Sequence, residues 1–296
     1  MNKPTLHIRS SARGIGDAIC GAYVVAGAMN QFSGLKVKYY TRFPEWITPF
    51  VSMMDMLPHE QFYPVRKEQY AFDMWKDYRG ELKSVVNRKN WLASNIVVDE
   101  VEVLPSKPNK SVLLNNLERV RSDEYIVVAP FATHITRMWS LSHVRELIAR
   151  IQSELRINVV VVSDTMWSEH ARALGVDTII NQSPVELAKL LKHAITTVTI
   201  DSGIAHFCGL IDARCLSILA IMQPENIYSL TNIQSITPNT KCVFCNFQPA
   251  RGYDETICPG YCKAINDIKV NDVLERLDKI YYSEFTESGV EVGSWN

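Results

Sequence analysis

From residue 125 onward, apolar residues fall into two alternating patterns. Short continuous runs, YIVVAP at 125–130, NVVVVS at 158–163 and TTVTI at 196–200, read as strands buried on both faces. Between them apolar residues recur every three to four positions, which predicts helices over 140–155, 168–174 and from Ser183 onward. Ser183-Pro184-Val185-Glu186 adds a capping box with proline at the first helical position. Strands over 178–180 and 215–221, a short helix over 224–230 and a C-terminal helix over 270–282 complete the series. Continuous apolar strands alternating with helices predict a parallel sheet covered on both faces.

The first third is less regular. Leu6 to Ser10 reads as a buried strand, followed by a glycine-rich turn and an apolar helix over 18–29. KVKYYT at 36–41 reads as a second strand, 44–56 as a helix with Trp46, Phe50 and Met53 on one side, and 62–65 as a short third strand. Residues 66–91 mix bases with aromatics, among them Arg66, Lys67, Tyr70, Phe72, Trp75, Arg79 and Trp91. That mixture suits either an amphipathic helix pair or a surface that stacks on sugars or bases and holds phosphates. A strand-like run covers 96–103, and 104–110 has linker composition. The expected division is a first domain over 1–115, a second over 116–269, and a C-terminal helix and tail over 270–296.

Chemistry concentrates where strands turn into helices. At Thr197–His206 a β-branched strand runs into Asp201-Ser202-Gly203 and an apolar helix. Such a corner is read either as a capped helix start or as an anion site built from unpaired N–H groups. Gly14-Ile15-Gly16-Asp17 forms a second corner. It is not a dinucleotide fingerprint, because Ile19 stands where the third glycine belongs. A third candidate is the segment 131–137 after YIVVAP. All three lie at carboxyl ends of strands, the edge where open α/β sheets bind ligands.

Composition narrows the setting. The 296 residues suffice for two domains, with 47% apolar and 21% charged residues and no run long enough to span a membrane. Net charge is −1, yet residues 1–110 hold 15 Lys/Arg against 11 Asp/Glu, which hints at an anionic partner in the first half. No signal-peptide pattern opens the chain, so a cytoplasmic protein is expected. Cys242, Cys245, Cys258 and Cys262 are spaced C-x2-C-x12-C-x3-C. That spacing suits a structural zinc, with reduced thiols as the alternative. Cys20, Cys208 and Cys215 lie in apolar runs and read as core.

Three signatures stand in order: Gly14-Ile15-Gly16-Asp17; Thr136, Arg137 and Trp139 before the helix at Ser140; and Asp201-Ser202-Gly203-Ile204-Ala205-His206. With them, and a cysteine-rich segment before the last helix, the chain resembles glycosyltransferase family nine, the bacterial heptosyltransferases. The likeness is best over 125–270 and at Gly14–Asp17, and poor from about 43 to 102. It implies an α/β protein of GT-B fold, two Rossmann-like domains whose parallel sheets face each other across a cleft. It further implies metal-independent, inverting transfer of a sugar from a nucleotide diphosphate sugar, typically ADP-heptose, to an acceptor hydroxyl. No cofactor would serve catalysis.

By this resemblance Asp17 is the general base, and Arg13, Gly14 and Gly16 lie on the acceptor side. Thr133, Thr136, Arg137, Asp201, Ser202, Gly203 and His206 hold the donor diphosphate, and Glu169 a ribose hydroxyl. The expected acceptor is a glycan such as lipopolysaccharide core, lipid-linked, with the enzyme at the inner membrane face. Two positions depart from the family: Arg137 replaces a usual Lys and Ser140 a usual Pro. The first domain is short, so nucleic acid, as a modified base of phage DNA, is an alternative acceptor. The same fold would also suit a non-catalytic nucleotide-sugar-binding GT-B protein or a nucleotide-sugar 2-epimerase.

Overall fold

A computed structural model describes residues 4–10, 14–52, 54–65, 70–74, 96–222, 224, 232–240, 242–245 and 262–283. Two parallel sheets organise them. The first comprises β1 (Thr5–Arg9), followed by helix α1 (Ile15–Gln31), then β2 (Lys36–Thr41), β3 (Asp55–Pro58) and β4 (Ala71–Asp73). Its spatial order is β3-β2-β1-β4, every pair parallel. A small antiparallel hairpin, β5 (Val97–Val98) and β6 (Val101–Glu102), follows. Helix α2 (Val112–Asn115) then leads to the second sheet.

The second sheet alternates strands and helices as the hydrophobic pattern predicts. In chain order come β7 (Tyr125–Ala129), α3 (Leu141–Arg150), β8 (Asn158–Ser163), α4 (Ser168–Arg172), β9 (Asp177–Ile180) and α5 (Pro184–His193). Then follow β10 (Thr197–Ile200), α6 (Gly203–Ile211), β11 (Cys215–Ile218), β12 (Ile233–Ile236), α7 (Lys263–Asp267) and α8 (Val270–Ser283). The order β12-β11-β10-β7-β8-β9 is parallel throughout. Every residue of β7, β10 and β11 is buried, as strands covered on both faces require. Helix α8 packs on α3, and Tyr281 donates to the Glu124 carboxylate at 3.3 Å. No described helix is long and apolar enough to cross a membrane.

The first half corrects several expectations. In place of a helix over 44–56 there is one 3-10 turn, Pro44–Trp46, and β3 starts at Asp55. Pro49 explains it: proline lacks an N–H and disfavours helix at the residue before it. The strand expected at 62–65 is part of a 3-10 segment, His59–Val65, containing Pro64. The run 96–103 splits into a hairpin because Asp99 and Glu100 both adopt positive φ, 47° and 69°, the conformation of a tight hairpin turn. The hydrophobic pattern does not mark strand β12 or helix α7; each is only four or five residues long. The helix expected over 224–230, the tail from Thr286 and most of the basic–aromatic stretch 66–91 lie outside the described residues.

Candidate active site

Sheet order marks the crevices at which open α/β sheets bind ligands. In the second sheet the chain steps outward from β7 through β8 to β9, then returns to the other flank of β7 with β10. Loops leaving β7 and β10 therefore diverge, opening a crevice at their carboxyl ends. The first sheet reverses in the same way between β1 and β4. There Arg9 and Asp73 stand opposite each other in register and form a buried ion pair at 3.2 Å. Arg9 also donates to the Tyr63 hydroxyl at 2.9 Å.

At the second crevice the expected donor residues meet across the switch point. Arg137 Nε lies 3.4 Å from the Asp201 carboxylate. Thr199, at the end of β10, donates to the Ala129 carbonyl of β7 at 2.9 Å. Its single proton being used there, its 3.1 Å contact with Ser202 Oγ has Ser202 as donor. Ser202 occupies the N-cap position of α6, yet its side chain does not cap the helix. Ser111, Ser140 and Ser183 do cap theirs. The start of α1 also has no side-chain cap: Gly14 is its N-cap, and the Asp17 carboxylate folds back towards it, 3.2 Å from where a Gly14 Cβ would stand. Helix-start N–H groups have no intrahelical partners, and here no cap side chain takes them.

The two uncapped starts touch. A Cβ on Gly203 would come 3.3 Å from Ile15 Cβ, and one on Gly16 would come 2.5 Å from the ring of His206. His206 is buried, with Nδ1 3.5 Å from Cys20 Sγ. Phe207 of α6 packs edge-on against Trp46 and Phe50, at ring-centroid distances of 5.1 and 5.2 Å. Burying such a ring is worth roughly 2 kcal/mol. Tyr39 donates to the Ala18 carbonyl at 2.8 Å and so braces the first turn of α1. Burial raises its phenol well above the ordinary range.

The remaining expected residues scatter. Thr136 is buried and bonds His134 Nδ1 at 2.7 Å, while Thr133 is exposed in the same loop. Glu169 is exposed in the first turn of α4, beyond β8. Beside it is a feature that patterning alone does not mark. Phe131 and Trp167 stack at 5.8 Å and 7°, with Trp167 tied to the Ala132 carbonyl at 3.1 Å and Met166 exposed. The available signal is an aromatic residue shortly after each of two adjacent strands. Arg13 and Cys258 lie outside the described residues. Cys242 is exposed, Cys245 half-buried and Cys262 buried, and no metal-holding group of three His, Cys, Asp or Glu forms among the described residues.

The model of glycosyltransferase family 9 (heptosyltransferase) matches residues 99–251, more than half of the chain. The chain belongs to that family. No curated protein sequence matches it significantly. Among solved structures, E. coli ADP-heptose LPS heptosyltransferase II superposes with a TM-score of 0.67 at 13% identity, covering 95% of this chain and 100% of that one. The iron-containing dodecameric glycosyltransferase TibC from enterotoxigenic E. coli gives 0.70 at 14%, covering 96% and 78%. E. coli heptosyltransferase WaaC with ADP gives 0.62 at 13%, covering 93% and 100%. TibC has also been solved with ADP-D-β-D-heptose. At these identities the likeness establishes the GT-B fold. Within this family 9 chain, both switch points and both uncapped helix starts lie at the carboxyl ends of parallel strands.

Proposed function

We propose that the protein transfers a sugar from a nucleotide diphosphate sugar, of the ADP-heptose kind, to an acceptor hydroxyl with inversion. The observation that carries this reading is the meeting of the uncapped starts of α1 and α6 beside the Arg137–Asp201 pair. Backbone N–H groups and a guanidinium are suited to stabilise the charge a departing nucleoside diphosphate gains. Asp201 is acceptor-only and repels phosphate, so its part is to orient Arg137. The Phe131–Trp167 stack offers an apolar wall for the base, and Glu169 beside it a partner for a ribose hydroxyl. Asp17, in the first turn of α1, is the proposed general base. The proposed acceptor is a glycan hydroxyl such as one on lipopolysaccharide core, reached at the inner membrane face. The halves 1–115 and 116–269 would supply acceptor and donor sides respectively.

Thermal-shift screening with ADP, UDP, GDP and CDP tests the donor, because a native-state ligand raises the unfolding midpoint. ADP is expected to give the largest shift, and no shift with any nucleotide would defeat the reading. Arg137→Ala is expected to weaken ADP about tenfold or more while leaving adenosine nearly unchanged. Equal weakening of both would remove the phosphate contact.

A structural metal is a separate proposal. Spacing makes Cys242, Cys245, Cys258 and Cys262 a thiolate set, and it requires Cys258 to complete it. Because TibC is iron-containing, elemental analysis should read iron as well as zinc. Roughly one ion per chain is expected; none would leave four ordinary thiols.

A further inference from the structure

His206 belongs to the Asp201–His206 motif, yet its surroundings differ from those of its neighbours. It is 4% exposed, and its ring occupies the space over Gly16, where a Cβ would stand 2.5 Å from Cδ2 and 3.1 Å from Cγ and Nε2. Its Nδ1 contacts Cys20 Sγ at 3.5 Å. Gly16 and Cys20 are four residues apart and so share one face of α1; Gly203 and His206, three apart, share the facing stripe of α6. Gly203 meets Ile15 on the same line. Asp17 follows Gly16 directly in the same turn.

We propose that His206 is a positioning residue: by filling the space over Gly16 it fixes the first turn of α1, and with it Asp17, against the start of α6. This differs from the phosphate contact that the motif's resemblance implies, and it rests on the donor reading above for Asp17's role. Misplacing a catalytic group by about 1 Å costs on the order of 10²-fold in rate, so a lock on that turn has a kinetic consequence.

The test uses the full chain carrying His206→Ala, His206→Gln and Gly16→Ala, and the double variant Gly16→Ala/His206→Ala. ADP affinity is measured by calorimetry, ADP release from ADP-heptose by steady-state kinetics with a lipopolysaccharide-core glycan as the sugar's acceptor, and amide exchange over residues 15–19 by mass spectrometry. His206→Ala should lower kcat about 10²-fold with the donor KM and ADP affinity within about threefold, and should speed exchange of residues 15–19 about tenfold. His206→Gln should recover part of the rate. Gly16→Ala should be destabilised, and the double variant less so than the sum of the singles, because removing the ring vacates the space the new methyl needs. A tenfold loss of ADP affinity in His206→Ala with unchanged exchange would make His206 a donor ligand and overturn the proposal. Strictly additive costs of Gly16→Ala and His206→Ala would also overturn it. If the wild-type chain binds no ADP, the donor reading falls, while exchange and the double-variant comparison still decide whether His206 locks α1.

Discussion

Asp17 stands one residue from a close approach between the two halves, the contact of Gly16 with His206. Its place in the first turn of α1 has two physical explanations. A carboxylate there complements the helix dipole, and it is also where a base would meet a hydroxyl entering the crevice. Asp17→Asn separates them. Turnover is expected to fall by about 10²–10⁴ with ADP affinity unchanged; undiminished turnover would leave only the dipole role. Asp17, Arg137, Ser202 and Gly203 stand out as candidates in the sequence because each lies between an unambiguous apolar strand and the first turns of the helix after it. The Gly16–His206 contact and the Phe131–Trp167 stack do not, since they join positions 190 and 36 residues apart and leave no local period.

At the scale of elements, serines divide by what their hydroxyls bind. Ser183 accepts from the Glu186 N–H at 3.3 Å and caps α5; Ser202 is turned to Thr199 and leaves α6 uncapped. Ser183→Ala should therefore cost about 1 kcal/mol of stability, the usual value of an N-cap, and Ser202→Ala clearly less. Chemical denaturation of the two variants measures the difference, and equal costs would contradict the assigned bonds. Most strands of the second sheet are legible to within a few residues because continuous Val/Ile runs between helical periods have one reading. The 44–65 region misleads because Trp46, Phe50 and Phe62 give apolar spacing while Pro49 and Pro64 forbid the helix and strand it suggests.

Over the whole molecule, the parallel α/β architecture follows from the alternation of elements, whereas the way the halves join does not. The stretch 104–110, linker-like in composition, is pinned at both ends of its reach. Ser106 N–H donates to the Tyr23 carbonyl of α1 at 3.0 Å, and Lys107 pairs at 2.7 Å with Asp212, just past α6, as Lys110 also does. Burial pushes the Asp212 carboxyl up, but hydrogen bonds from the two lysines outweigh it and hold it below its ordinary value. A depressed folded-state value stabilises the fold above the unfolded carboxyl's range and is lost as pH falls through the folded value. Asp212→Asn should thus lower the unfolding midpoint at neutral pH, and its deficit against the wild type should shrink towards zero on acidification. A deficit independent of pH would rule out the ion pairs as its source.

Tied to α1 on one side and to the end of α6 on the other, residues 106–110 run as a strap across the same two helices whose starts meet at Gly16 and Gly203. In mechanical terms this makes a spine. Sliding one sheet past the other would break both lysine pairs to Asp212, whereas rotation about the strap would leave them in place. Hinging along the strap is therefore expected to cost fewer bonds than shear.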